Sequence, residues 1–252
     1  MLKNDFVCGY RDISSQRYAG ASGKHRPDGN AVDTTNGAGP HNLQMFILSP
    51  DGIVLHCLPG YWSSADLARE LQFAQELNKL WVDPALSLEE KRQRFSEMQI
   101  AHIDEHSQAE QRRSHMQGFD VQYEAKHRLY STDVFYNPQA VDPAGDRMPP
   151  RAVKTTDVIM HERMAARPFV PYSDFDVAAF ADYGKPMYDK HEDFRSADGQ
   201  IQPGANLASE PLIGNDPRAH PIKTEAKRQG ISIARQGLSA LLRYGIRAAA
   251  YR

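Results

Sequence analysis

The most regular pattern in this 252-residue sequence is residues 42–77, NLQMFILSPDGIVLHCLPGYWSSADLARELQFAQEL. Its first seven residues are nearly all apolar, which is typical of a strand buried on both faces. Ser49-Pro50-Asp51-Gly52 favours a tight turn, because proline fixes φ and Asp-Gly tolerates positive φ. The apolar run that follows, residues 53–58, predicts the return strand of a β-hairpin.

A helix is predicted directly after the hairpin. Ser63 or Ser64 can cap it, and an acidic residue in the first turn, Asp66, suits the positive end of the helix dipole. Apolar residues then recur at helical spacing, at Leu67, Leu71, Ala74 and Leu77. We therefore expect one face of this helix to pack against the hairpin.

A second, more polar helix is predicted to begin after Ser87, which stands three residues before Glu90 in the spacing of a capping box. It should run to about residue 115. Its apolar stripe is thin, with Leu88, Phe95, Met98 and Ala101, so we expect it to lie on a surface or to bridge between modules.

The remaining sequence divides the chain into three predicted regions: an incomplete domain over residues 1–82, a charged long helix with its connection over 83–136, and a helical extension over 137–252. The extension contains two linkers rich in proline and glycine, a short helix capped by Thr155 or Thr156, another helix after residues 173–176 that ends near Gly184, and a basic helix over residues 225–251.

Residues 5–80 resemble the closing half of the thioredoxin superfamily. The resemblance rests on a strand-like run at residues 6–10, a proline (Pro40) before the hairpin, the Ser-Pro-Asp-Gly turn, and Gly60 before the closing helix. It implies that Pro40 is the family's cis-proline, which forms one wall of the active site. The fold class expected is therefore α/β, a partial thioredoxin-like sheet-and-helix unit followed by a mostly helical, linker-rich extension.

The thiol chemistry of that superfamily is not matched here. Its reactive cysteines begin the first core helix, where the helix dipole lowers the thiol pKa. This sequence contains two cysteines, Cys8 and Cys57, 49 positions apart and outside any CxxC motif. We expect two buried reduced thiols, with a single disulfide as the alternative. The strand-like run so close to residue 1 suggests that the natural protein, or an ancestor, had more chain upstream.

The sharpest local motif is His102-Ile103-Asp104-Glu105-His106. Two histidines at i and i+4 share a helix face, and the order H-x-x-E-H is that of inverted zinc peptidases, in which the glutamate is the general base. Glu162, next to His161, is the candidate third ligand. A non-catalytic metal site formed by His102 and His106, with His115, His161 or His191, is a second interpretation, and a chance match on a solvated helix is the third.

Composition restricts the partners. The formal net charge is −2, so we expect no nucleic-acid partner. The basic C-terminal helix could dock on a protein partner, and we expect no membrane contact because its apolar face lacks a Trp or Phe anchor. No cofactor is predicted.

Three functions follow from these observations. The preferred hypothesis is a thioredoxin-like protein without its own redox motif, acting as a binding or scaffolding module. The alternative is a thiol-disulfide oxidoreductase whose CxxC lies upstream of residue 1. The weaker alternative is a metal-binding protein that uses His102 and His106.

Overall fold

The computed structural model describes residues 2–22, 34–128, 131–137 and 152–188. These residues belong to one compact unit. Within them the helices are α1 (Leu2–Asp5), α2 (Ser64–Val82), α3 (Leu88–Glu105), α4 (Gln108–Arg113), α5 (Gly118–His127), α6 (Thr156–Ala165) and α7 (Val177–Phe180), with a 3-10 turn at Tyr172–Asp174, and the strands are β1 (Ala21–Ser22), β2 (Gln44–Leu48), β3 (Val54–Pro59) and β4 (Met187–Tyr188).

The predicted hairpin is confirmed. Strands β2 and β3 pair in antiparallel register, with Phe46 opposite Cys57. The backbone N–H of Gly52 donates to the carbonyl of Ser49, and Gly52 has a φ of +83°, which explains the glycine at the end of the turn. Strand β2 is less buried than expected. Strand β3 is buried throughout, whereas β2 is mostly half-buried because it has β3 on one side only among the described strands.

Helix α2 is confirmed as the hairpin's covering helix. Ser63 caps it by accepting a hydrogen bond from the backbone N–H of Asp66. Its buried face contains apolar residues at helical spacing, but it also contains a completely buried carboxylate, Glu70. A buried charge is costly unless it has partners, so Glu70 marks a position with a specific environment.

Helix α3 begins as predicted, with a complete capping box between Ser87 and Glu90. It ends at Glu105, about ten residues earlier than predicted, because the chain turns at His106 and Ser107 caps the short helix α4. The expected apolar stripe is also partly wrong. Leu88 and Ala101 are exposed, and the buried residues are Phe95, Gln99 and His102.

Helix α6 joins these elements into a core. It packs against α3 and β3, while α2 packs against the same two elements. The apolar residues of the core come from β2, β3, α2, α3 and the segment from Met160 to Phe180, together with Trp62. The described part of the chain is therefore broadly α/β, with helices around a small antiparallel sheet. It contains no helix long and apolar enough to span a membrane.

Two local expectations tied to the thioredoxin resemblance are wrong. Residues 6–10 form no strand, and Val7 and Tyr10 in this segment are fully exposed. A strand requires a neighbour to hydrogen-bond with, and neither of the two described sheets includes this segment. The described backbone has no cis peptide bond, so Pro40 follows a trans bond.

Other predictions are only partly covered. Thr155 stands at the N-cap of α6, as expected, although its side chain makes no capping hydrogen bond. The helix expected after residues 173–176 is confirmed at its start, where Asp176 caps α7, but it ends at Phe180. The predicted helix over 225–251 lies outside the described residues, as do the second predicted linker, residues 196–224, and all but the first position of the first, residues 137–151. The division of the chain at residues 82 and 136 stays a prediction.

Candidate metal centre

Four buried residues that can bind a metal ion meet where α2, α3 and α6 pack together: Glu70, His102, His106 and His161. One donor atom from each lies within 4.8 Å of the others. Helix α2 supplies the glutamate and α3 supplies His102, whereas His106 is the residue that ends α3. His161 comes from α6. The group is therefore built by tertiary packing of three helices.

Glu70 lies at the centre of this group. Its Oε1 atom is 3.4 Å from His106 Nε2 and 3.7 Å from His102 Nε2. Its Oε2 atom is 3.6 Å from His161 Nε2 and accepts a hydrogen bond of 2.8 Å from Nε2 of a fourth histidine, His56 on β3. The bond from His56 fixes the carboxylate, so that both oxygens face the remaining imidazoles.

Each of the three remaining imidazoles is oriented through its other ring nitrogen. His106 Nδ1 donates to Asp157 at 2.7 Å, and His161 Nδ1 donates to the side-chain Oε1 of Gln99 at 2.7 Å. His102 Nδ1 lies 3.1 Å from Glu105. In a neutral imidazole, a hydrogen bond donated by Nδ1 fixes the tautomer and places the lone pair on Nε2, as in histidines that ligate metals.

The Nε2 atoms themselves are unsatisfied. Within the described residues, Nε2 of His102, His106 and His161 has no hydrogen-bond partner, and neither does Glu70 Oε1, although all four atoms are buried. Buried polar atoms nearly always have a partner in native proteins, so an isolated orphan requires an explanation. Here four orphaned atoms converge on one point.

The electrostatics favour a cation at that point. Burial would raise the pKa of Glu70, but the surrounding histidines outweigh it and hold the pKa well below its ordinary value, so the carboxylate is ionised. Burial also opposes protonation of His106, yet Asp157 and Glu70 together raise its pKa to about 10, so at neutral pH this imidazole is protonated and a metal ion would have to displace the proton on Nε2. Burial lowers the pKa of His161 to about 4, which keeps this imidazole neutral.

Aromatic packing holds the rings in place. The Phe73 ring stacks on His102 with centroids 4.0 Å apart and planes 5° from parallel. The rings of His56 and His161 stack at 5.2 Å. Because these contacts and the Nδ1 hydrogen bonds restrict both ring position and rotation, the site is organised before any ligand arrives.

A cleft of about 640 Å³ lies beside the group. His102 and His106 line it, together with residues of α2 that include Arg69, Gln72 and Phe73. Glu70 and His161 do not line the cleft and are fully buried. The cleft therefore borders the group at His102 and His106, whose Nε2 atoms are themselves buried.

The structure places the sequence-predicted site residues as follows. His102 and His106 lie together as their i, i+4 spacing implied. Glu162, the candidate third ligand, pairs with Lys154 instead, and its neighbour His161 enters the group, because adjacent helix residues point about 100° apart. Glu105 is largely exposed and bonds to His102, so it orients a ligand.

Other histidines stand apart. His115 is exposed and its Nδ1 contacts the Arg112 carbonyl, and His191 lies outside the described residues. Sequence reasoning missed Glu70 and His56. Each had a signal, since Glu70 interrupts the apolar face of α2 and His56 interrupts an otherwise apolar strand.

The remaining predicted residues show no comparable arrangement. Cys57 is buried, and burial raises the pKa of its thiol well above the ordinary value, which disfavours the reactive thiolate. Cys8 is exposed, against the expectation that both thiols are buried, and both cysteines are free. Pro40 is buried in the connection before β2.

Comparisons of the chain with models of known protein families, with curated proteins and with solved structures gave no match.

Proposed function

We propose that this chain is a metal-binding protein that holds one divalent transition-metal ion through Glu70, His102, His106 and His161. One observation carries the proposal: three imidazole Nε2 atoms without hydrogen-bond partners face a single buried carboxylate, while each Nδ1 atom is already held in place.

The separations between donor atoms suit such an ion. The three contacts between Glu70 oxygens and the histidine Nε2 atoms measure 3.4, 3.6 and 3.7 Å. Neighbouring ligands about 2.1 Å from a tetrahedral zinc ion lie about 3.4 Å apart. The 3.4 and 3.7 Å contacts are made by Oε1 and the 3.6 Å contact by Oε2, so the side chains would have to close donor separations of up to 4.8 Å to reach this spacing.

The donor types restrict the metal. Three imidazoles and one carboxylate, without a thiolate, favour zinc, iron(II), manganese(II) or nickel(II) over copper(I), which prefers sulfur. Calcium and magnesium are disfavoured because they bind oxygen ligands. A dication would also neutralise the buried charge of Glu70, and it would replace the proton that Asp157 and Glu70 favour on His106.

Metal analysis of the purified full chain tests the proposal. We expect about one equivalent of a transition metal by elemental analysis, after the metal-free protein has been incubated with zinc, iron(II) or manganese(II) and desalted. His106→Ala should lose it. The matched control is His115→Ala, an exposed histidine outside the group, which should keep full stoichiometry.

Circular dichroism of the metal-free proteins separates loss of a ligand from loss of the fold. Should His106→Ala unfold, Glu70→Gln provides the second variant, because the amide keeps the size of the side chain and loses the charge. Wild-type protein that retains none of the three metals, or equal metal loss in His106→Ala and His115→Ala, would refute the proposal.

The binding or scaffolding role of a thioredoxin-like unit stays a prediction, as does an upstream CxxC motif. Neither is incompatible with a metal centre in the described residues.

A further inference from the structure

We infer that the metal ion of the proposed function is an enclosed structural zinc ion, held by four protein ligands in a tetrahedral site that leaves no position for water. The inference rests on the proposed function and adds to it the coordination geometry, the preferred metal and the role of the ion. Structural zinc sites are closed in this way, whereas catalytic sites keep one position for water or substrate.

All four donor atoms are sealed from solvent. The side chains of Glu70 and His161 are 0% exposed, and that of His106 is 1% exposed. The side chain of His102 is 11% exposed, yet its Nε2 atom is buried like the other three donors. An ion placed between four buried atoms is therefore surrounded by protein.

No fifth side chain completes a larger coordination shell among the described residues. The group of donors within 4.8 Å of one another contains the same four side chains and no other. His56 Nε2 is already bonded to Glu70. Asp157 Oδ2 already accepts a hydrogen bond from His106 Nδ1. A six-coordinate ion would therefore need two water ligands in a buried position.

The spacing of the imidazole rings fits a tetrahedral ion. The ring centroids of His102, His106 and His161 are 4.9, 5.1 and 5.3 Å apart. Imidazoles bound through Nε2 to a tetrahedral ion about 2.0 Å away have centroids about 5.1 Å apart, whereas octahedral bonds of about 2.1 Å at right angles give about 4.6 Å. The observed values are centred on the tetrahedral spacing.

This geometry narrows the metal to zinc. Zinc has a filled d shell and accepts four tetrahedral ligands without an electronic penalty. Nickel(II) favours square-planar or tetragonal coordination, and manganese(II) favours six ligands that include water. A closed tetrahedral site therefore prefers zinc to nickel, and the ratio of the two affinities measures how far the site is closed.

The position of the ion gives it a structural role. It would join Glu70 of α2 to His102 of α3 and His161 of α6, which are distant in sequence. Metal–ligand bonds would replace four buried atoms that have no hydrogen-bond partner. The free energy of metal binding then contributes directly to the packing of the three helices.

Cobalt(II) is a suitable probe, because it takes the geometry of zinc and absorbs visible light strongly in a tetrahedral site but weakly in an octahedral one. We expect the full chain to bind one equivalent of cobalt with a strong visible band. Azide should leave this band unchanged, because no position is free for an added ligand. In competition, zinc should be preferred to nickel by about tenfold or more.

His102→Ala provides the matched open site, because it removes the ligand that borders the cleft and keeps the other three. Its cobalt spectrum should respond to azide or to added imidazole, which can take the place of the missing side chain. His115→Ala, an exposed histidine outside the group, should behave as wild type does. Should His102→Ala bind no cobalt, the wild-type spectrum and the preference for zinc over nickel decide the question.

The outcomes separate the inference from the proposed function. One equivalent of cobalt with the weak spectrum of an octahedral ion, or a clear response of the wild type to azide, would overturn the inference and leave the proposed function standing. Tighter binding of nickel than of zinc would also overturn it. Failure to bind either cobalt or zinc would refute both together.

Discussion

Helix α2 carries two buried carboxylates one turn apart, and they have opposite surroundings. Asp66, 1% exposed, is fully bonded: Arg113 donates to both oxygens at 2.6 and 2.8 Å, and Asn36 and Ser63 donate at 2.7 Å. Glu70, 0% exposed, accepts one hydrogen bond, from His56. Its Oε1 atom has no hydrogen-bond partner and faces imidazole Nε2 atoms that also lack one.

The difference teaches how to separate a structural charge from a functional one. A buried carboxylate that serves stability is completed by cations and hydrogen-bond donors of the chain itself. A buried carboxylate whose neighbours also lack partners is incomplete without a ligand. Asp66 secures the start of α2, and Glu70 offers a position for a cation.

The largest expected effect comes from exchanging each carboxylate for its amide. Glu70→Gln should weaken zinc binding by about 100-fold or more, because it removes the charged ligand. Asp66→Asn should leave zinc affinity within about threefold, because Asp66 bonds elsewhere. Isothermal titration calorimetry of the two variants measures both values. Similar losses of affinity would show that the two carboxylates do not differ in the way proposed.

The increase in the free energy of unfolding on zinc binding should also differ between the two carboxylate variants. Zinc at about 100 times its dissociation constant should raise the free energy of unfolding of the wild type by about 2.7 kcal/mol over the metal-free protein. Asp66→Asn should show the same increment from a lower starting value, and Glu70→Gln should show almost none. Urea unfolding with and without zinc gives the increments. An increment in Glu70→Gln equal to that of wild type would contradict the assignment.

The hydrogen bonds behind the imidazoles should have a smaller effect than the ligands. Asp157→Asn alters the acceptor of His106 Nδ1–H and should weaken zinc binding by about 10- to 100-fold, the range for residues that orient ligands. Asp174→Asn, an exposed aspartate on the 3-10 turn, is the control and should bind zinc normally. Unchanged affinity in Asp157→Asn would mean that this hydrogen bond does not orient the ligand.

The smallest effect is expected for Asp66 in acid. Burial would raise the pKa of Asp66, but hydrogen bonds from Arg113, Asn36 and Ser63 lower it to about 2. A lowered pKa stabilises the folded state above the unfolded value near 4, and this stabilisation is lost as the pH falls towards 2. Asp66→Asn should therefore lower the free energy of unfolding at neutral pH by about 1–2 kcal/mol. It should also make that free energy less dependent on pH between about 4 and 2.

Urea unfolding of metal-free protein at several acidic pH values measures that slope, with Asp174→Asn as the reference for an exposed aspartate. A slope in Asp66→Asn as steep as in the reference would show that Asp66 does not contribute to the acid sensitivity.

The candidate site was only partly predictable. His102 and His106 could be found because i, i+4 histidines share a helix face whatever the rest of the fold does. His161 was noted, but the neighbouring Glu162 was chosen as the ligand, and helix phase relative to another element cannot be read from one sequence. Glu70 and His56 lie 32 and 46 positions before His102, and only packing brings them together.

The sequence by itself determined the turn at Ser49–Gly52, the caps at Ser63 and Ser87, and the helices that follow them. Each of these depends on interactions between residues a few positions apart. Tertiary structure alone decided that β3, α2, α3 and α6 meet, that residues 6–10 form no strand, and that four histidines surround one carboxylate. These outcomes depend on burial and pairing between distant segments, which local patterns do not specify.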